Sequence, residues 1–343
     1  MPFQLDPEVA AEMATLLGGR PPPEPVPVGD IQARRTFIDI FQALQASLIP
    51  RSDDVTQTDY YTTASDGHKI LLRWYAKKDT APNSSAIFYM HGGGMIASAV
   101  SNYDKVLSQY VSLTSVPFLS VEYRLAPEHP YPTPLEDCCT GLTWLHTNAH
   151  ALSIDTARIA IMGDSAGGGL AACLTHLARE RDGPPIAKQI LIYPMLDDRT
   201  TDPDAAVLPF VTWNYLDNET AWAALLGARR GGNDVPVTAA AARLEDARGL
   251  PELYLDVGEL DIFRDEDIVY ALNLVSAGVS TELHVHPGVP HAWEVSSPKA
   301  GVSRRAMADR VRAIMGIKSV GGEKASSWGG SSRGGGLVAP DNS

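Results

Sequence analysis

The sequence predicts an α/β fold with a mostly parallel central sheet flanked by helices. Three observations carry this. The 343 residues, 44% hydrophobic and 20% charged, can bury one large core without a disulfide or metal staple. Short, continuously apolar runs recur along the chain, as strands buried on both faces require. Amphipathic stretches of helical period separate them, the alternation that covers a parallel sheet on both sides.

Residues 6–17 set Val9, Met13, Leu16 and Leu17 at helical spacing, and Gly18-Gly19 ends the run. The Pro-rich stretch 21–27 cannot be helical and reads as an extended linker. A second helix follows from Asp30 to near Pro50, with Phe37, Phe41, Leu44 and Leu48 on one stripe, expected to pack into core or cap. Residues 60–63 and 69–75 flank Ser65-Asp66-Gly67, a hairpin signal. Strands are then predicted at 86–90, 116–122, 158–162, 189–193, 253–257 and 281–286. Helices are predicted at 103–114, 135–148, 168–181, 265–277 and 303–315.

Two segments interrupt this order. They are the N-terminal region 1–50 and a Trp- and Ala-rich stretch at about 197–248, both read as helical additions forming a cap over residues 51–320. The Gly/Ser-rich tail 321–343 has too little apolar content to pack and is predicted to be disordered.

Twenty-eight Lys+Arg against 41 Asp+Glu give a net charge of −13, which argues against a nucleic-acid backbone binder and a polybasic membrane helix. Cys138, Cys139 and Cys173 form neither a disulfide framework nor a zinc-ligand spacing, so no structural metal is expected. The first residues lack the basic and apolar regions of a signal peptide, and no apolar run is long enough to span a bilayer. A cytoplasmic location is therefore expected.

The sharpest local signal is a strand leading into Gly163-Asp164-Ser165-Ala166-Gly167-Gly168 and then an Ala/Leu-rich helix. This is the G-x-S-x-G order of a nucleophile elbow, in which a serine on a strained turn needs small residues two before and two after it. An earlier strand ends in His91-Gly92-Gly93-Gly94, the expected second half of an oxyanion hole. Backbone N–H groups there stabilise a tetrahedral oxyanion by ~3–4 kcal/mol each, and Gly lets the chain approach closely. The donors are expected to be Gly93 with Gly92 or Gly94, together with Ala166.

A serine hydroxyl needs a base, and that base an orienting carboxylate. Asp261 falls in the loop after the strand at 253–257, with Glu259 as its rival. Asp256 lies inside the strand, and Asp265 and Asp267 open the next helix, where capping suffices. His291 follows Pro287-Gly288-Val289-Pro290 beyond the last strand, placed to reach Ser165. His284 and His286 share one strand face and read as structural. His91 reads as a hydrogen-bonder within its loop, and His68, His146 and His176 as surface or packing residues.

Together, His91-Gly-Gly-Gly94, the run from Tyr123 through Arg124 and Glu128 to Pro132, Gly163-Asp-Ser-Ala-Gly-Gly168, Asp261 with Arg264-Asp265-Glu266, and His291 resemble the hormone-sensitive-lipase-type esterases. The likeness runs from about residue 60 to 317. It implies an α/β-hydrolase core with a helical cap, no cofactor and no metal. It also implies acyl transfer from short-chain esters to water through Ser165, Asp261 and His291. Glu122 stands where relatives commonly carry Asp, and Ile262-Phe263 where they carry Pro-Leu. Tyr123, Arg124 and Glu128 are expected to be structural, with a buried Arg–carboxylate arrangement beneath the elbow.

The expected partner is a small-molecule ester, in a monomer or a homodimer. A lactonase or amidase would use the same triad. A ligand receptor would lack the base that His291 supplies. Pocket walls are expected among Met95, Asp164, Trp213, Tyr215 and Trp222.

Overall fold

The structure is a computed structural model that describes residues 3–20 and 24–320. The predicted tail at 321–343 and part of the Pro-rich linker therefore lie outside the described residues. Helix α1 (Pro7–Leu16) starts where the Asp6 carboxylate caps the amides of Glu8 and Val9, with Pro7 at the first turn. Helix α2 (Ile31–Leu48) follows, capped by Asp30.

Strands β1 (Val55–Thr63) and β2 (Lys69–Lys77) form the expected hairpin about Asp66-Gly67. Then come β3 (Ser84–Met90), α3 (Asp104–Thr114), β4 (Phe118–Val121), α4 (Thr133–Thr147), β5 (Ile154–Asp164), α5 (Ala166–Glu180) and β6 (Lys188–Ile192). Beyond them lie α6 (Tyr215–Leu226), β7 (Glu252–Gly258), α7 (Arg264–Ser276), β8 (Thr281–His286), the short α8 (Trp293–Ser296) and α9 (Gly301–Met315).

The eight strands form one sheet in the order β1-β2-β4-β3-β5-β6-β7-β8. β2 runs antiparallel to β1 and β4, and every pair from β4 through β3 to β8 is parallel. Its centre is as apolar as the runs predicted: Ile87, Phe88, Ile161, Ile190 and Leu255 are fully buried. Because β3, β5, β6, β7 and β8 are parallel, their carboxyl ends emerge on one edge. The loops carrying His91, Ser165, Asp261 and His291 all start there.

Two expectations fail. The α2 stripe is not packed away: Phe37, Leu44 and Leu48 are exposed, as is the neighbouring Ile40, while Phe41 is half-buried, and the buried residues of that helix are Arg34 and Gln45. Ile31 and Ile38 pack against the core, and polar anchors hold the rest of the helix. Arg35 reaches the carbonyls of Ile96 and Ala126, Gln42 accepts from Ser98 and Asn102, and Gln45 donates to Ser296.

The second concerns residues 197–248, which contain one α-helix, α6, between irregular stretches. Pro203, Pro209 and Pro236 interrupt helical continuation. The segment is held by the buried Asp198 carboxylate, which accepts from Arg243 and from the amide of Gly231. Among the described residues, no helix is long and apolar enough to cross a membrane.

Candidate active site

Ser165 lies on the tight turn between β5 and α5 at φ 55° and ψ −123°, a backbone region that L-residues rarely occupy. The turn is fastened on both sides: the Ser165 amide donates to Ile192, and its carbonyl accepts from Met195 and Gly169. A Cβ on Gly163 would collide with the backbone of Gly167, and one on Gly167 with the carbonyl of Met90. Small residues are therefore obligatory on both sides of the serine.

His291 Nε2 lies 2.9 Å from Ser165 Oγ, and its Nδ1 lies 2.7 Å from Asp261 Oδ2. All three side chains are buried. With the Asp261 carboxylate accepting from Nδ1–H, Nε2 is left to accept the Ser165 hydroxyl. The other Asp261 oxygen accepts from the amide of Phe263 at 3.0 Å, which fixes the carboxylate plane.

Glu259, the rival acid, instead accepts the Gly288 amide at 2.9 Å and ties the loop leading to His291 to the loop carrying Asp261. A Cβ on Gly258 would strike the Val289 carbonyl, so only glycine lets these loops approach so closely.

Of the three loop glycines, Gly92 is already committed: its N–H faces Tyr103 Oη and Asp164 Oδ1, both at 3.1 Å. Among the described residues no group accepts the N–H of Gly93, Gly94 or Ala166, which leaves these three amides available. Gly93 and Gly94 have φ of 115° and 64°. Gly92 is thereby corrected from donor to anchor.

Asp164 is corrected with it, from pocket wall to support. Its carboxylate accepts from Tyr89 at 2.5 Å, Tyr103 at 2.7 Å and the Gly92 amide. Burial lifts its pKa above the usual carboxylate range, against the pull of the two tyrosine hydroxyls. His91 stays beside it as a loop hydrogen-bonder: Nδ1 faces the Gly92 carbonyl at 2.7 Å, and the ring stacks on Tyr123. Burial lowers its pKa to about 4.

Of the other pocket candidates, Trp213 alone stands over the site. A Cβ on Gly94 would lie 2.6 Å from Trp213 Cη2. Met95 and Trp222 are packed in the core, and Tyr215 accepts from the Asp204 amide. The segment carrying Trp213 also reaches the base, through Thr212 Oγ1 donating to the His291 carbonyl at 2.7 Å.

The expected Arg–carboxylate arrangement is also redrawn. Arg124 pairs with the buried Asp137 and with Asp66 of the hairpin turn, whereas Glu128 is exposed and pairs with Arg35 of α2. Asp265 is exposed beside Arg264. Asp267 is not a cap: it is fully buried, and neither carboxylate oxygen takes a hydrogen bond among the described residues.

With this geometry in view, comparison with known proteins places the chain. Residues 87–295 match a family model described as alpha/beta hydrolase fold. The chain belongs to the alpha/beta hydrolase fold family. The resemblance to hormone-sensitive-lipase-type esterases holds with it.

Carboxylesterase NlhH of Mycobacterium tuberculosis is 35% identical over 230 residues, 65% of this chain and 71% of that protein. Ethyl acetate hydrolase of Pseudomonas putida is 32% identical over 303 residues, 84% of this chain and 92% of that protein. Among solved structures, a bacterial heroin esterase superposes with a TM-score of 0.83 at 34% identity, covering 92% of this chain and 99% of its own. This alpha/beta hydrolase is accordingly an enzyme of the carboxylesterase type.

Proposed function

We propose that the enzyme hydrolyses short-to-medium acyl esters through Ser165, His291 and Asp261. The observation that supports this reading is the unbroken hydrogen-bond chain from Asp261 through His291 to Ser165. Ser165 Oγ attacks the ester carbonyl while His291 Nε2 takes its proton, and Asp261 holds the imidazole tautomer and stabilises the imidazolium. The Gly93, Gly94 and Ala166 amides receive the oxyanion. The alcohol leaves with the proton from His291. Water then adds to the acyl-enzyme by the reverse path, giving the carboxylic acid and free Ser165.

In this reading α1, α2 and the 197–248 segment form the cap. Trp213 roofs the space above Gly94, which favours short acyl groups. The two relatives above, carboxylesterase NlhH and ethyl acetate hydrolase, carry ester hydrolase names, which supports this class of substrate.

The test is Ser165→Ala assayed on p-nitrophenyl esters from acetate to palmitate, with lactones and amides in the same panel. Turnover is expected to fall by roughly 10³-fold or more at an unchanged melting temperature. A variant with wild-type turnover overturns the assignment. A second reading, action on esters held at a lipid surface, is favoured by the exposed stripe of Phe37, Ile40, Leu44 and Leu48. It requires emulsified tributyrin to be hydrolysed faster than the soluble ester at equal concentration.

A further inference from the structure

Behind His291 lies a buried charged chain that the hydrolytic cycle does not itself use. The Tyr193 ring packs edge-on against the imidazole, with centroids 4.6 Å apart, and its hydroxyl donates to Glu294 Oε1 at 2.7 Å. Arg310 Nη1 of α9 donates to the same oxygen at 2.6 Å. Its other nitrogens grip Asp256 of β7, Nε to Oδ2 at 2.7 Å and Nη2 to Oδ1 at 2.8 Å. Tyr193, Glu294, Arg310 and Asp256 are all buried.

The chain is anchored in the backbone as well. Tyr193 sits at φ 35° directly after β6, and its amide donates to the Asp256 carbonyl at 2.6 Å. Glu294 lies on α8, three residues beyond His291, so the same carboxylate holds the ring beside the base and the helix that follows it. One guanidinium meets two carboxylates, and Glu294 Oε2 is buried without a hydrogen bond among the described residues. The cluster therefore sets two acidic side chains against one guanidinium behind the Tyr193 ring.

We propose that Glu294 and Arg310 are positioning residues for His291, holding Tyr193 as the wall that orients the imidazole and placing negative charge under its protonated form. This rests on the hydrolytic reading above. Other charged or titratable groups around the base and this cluster are Asp261 on the loop after β7, Asp164 at the end of β5, Asp267 on α7, His286 on β8 and Tyr110 on α3. None of them changes in the variants below.

The experiment is the pH profile of kcat/KM for p-nitrophenyl butyrate in Glu294→Gln and Tyr193→Phe. Glu294→Gln removes one negative charge at constant shape, so the imidazolium is less stabilised. The acid limb should move to lower pH by about half a unit or more, and kcat should fall several-fold while KM stays within about twofold. Tyr193→Phe keeps the charge and loses the hydrogen bond, so kcat should fall while the acid limb stays in place. A folded Glu294→Gln enzyme with the wild-type acid limb and turnover overturns the proposal. If that variant does not fold, Tyr193→Phe decides, and wild-type turnover in it overturns the proposal. Ser165→Ala, run alongside, distinguishes the two failures: only turnover in that variant sinks the hydrolytic reading itself.

Discussion

The Asp164 carboxylate accepts the amide of Gly92, 72 positions earlier in the chain, at 3.1 Å, so the residue just before the nucleophile anchors the loop expected to face the oxyanion. Asp164→Asn keeps the volume and the oxygen that Tyr89 and Gly92 share, but replaces the oxygen that accepts from Tyr103 by a donor, so the hydroxyl that also faces the Gly92 amide must turn away. The expected result is a fall in kcat of roughly 10- to 100-fold, with KM changed much less. Steady-state kinetics on p-nitrophenyl butyrate check this, and a variant at wild-type kcat would remove Asp164 from the supporting role.

Trp213 stands against Gly94 and comes from a segment outside the sheet. Trp213→Ala should open the space over the oxyanion loop. The ratio of kcat/KM for octanoate over acetate esters is expected to rise by about tenfold, the order that a few methylenes contribute in an apolar pocket. An unchanged ratio would place the acyl chain elsewhere.

Arg34 ties the N-terminal segment to α6. Only 2% exposed, it donates to Asp217 at 2.9 Å and to the carbonyls of Val26, Pro27 and Asp30. Arg34→Ala leaves the partly buried Asp217 without its cation and three carbonyls without their donor, a loss of about 1–3 kcal/mol. Arg34→Ala/Asp217→Asn should recover part of that loss in urea denaturation, since the two changes act on one pair. Additive losses in the double variant would contradict the pairing.

His176 supplies a pH test away from the site. Burial lowers its pKa to about 3, with Arg179 adding to the shift. Unfolded, it titrates near pH 6.5, so below that pH the unfolded chain binds a proton that the native state refuses. Its contribution is intact above pH 6.5 and is lost as pH falls toward 3. Buried carboxyls with raised pKa, such as Asp164 and Asp267, act in the opposite sense over part of this range, so the informative quantity is a difference between variants. Relative to His176→Asn, the wild type should lose ~2 kcal/mol of stability between pH 7.5 and pH 5. A constant gap in denaturant midpoint across that range would show the ring taking up its proton equally in the folded and unfolded chain.

Much of this architecture was legible before any coordinates. Backbone requirements leave strong marks, so the glycines around Ser165 and after His91 announced the two turns, and continuous apolar runs announced the parallel strands. Asp261 and His291 could be chosen because they follow strand ends, where a parallel sheet must place its functional loops.

What stayed hidden depends on partners distant in sequence. Nothing near Gly92 says that its amide is taken by Asp164. Glu294 and Arg310 lie in no sequence motif, and only the fold buries them together. The α2 stripe misled for a related reason: helical periodicity shows that a face is apolar, and not that anything covers it. Among the aromatics, Trp213 and Trp222 look alike in sequence, and only their positions in the fold separate roof from core.

The first helix is fastened almost entirely to residues near the other end of the chain. The Asp6 amide donates to the Gly288 carbonyl, Ser297 donates to Val9, and Glu8 and Glu12 accept from the amides of Gly301 and Lys299. During synthesis α1 thus has nowhere to dock until the segment 288–301 has left the ribosome. A nascent chain stalled before α8 should hold a formed sheet with α1 undocked, and should gain hydrolytic competence only once α8 and α9 have emerged.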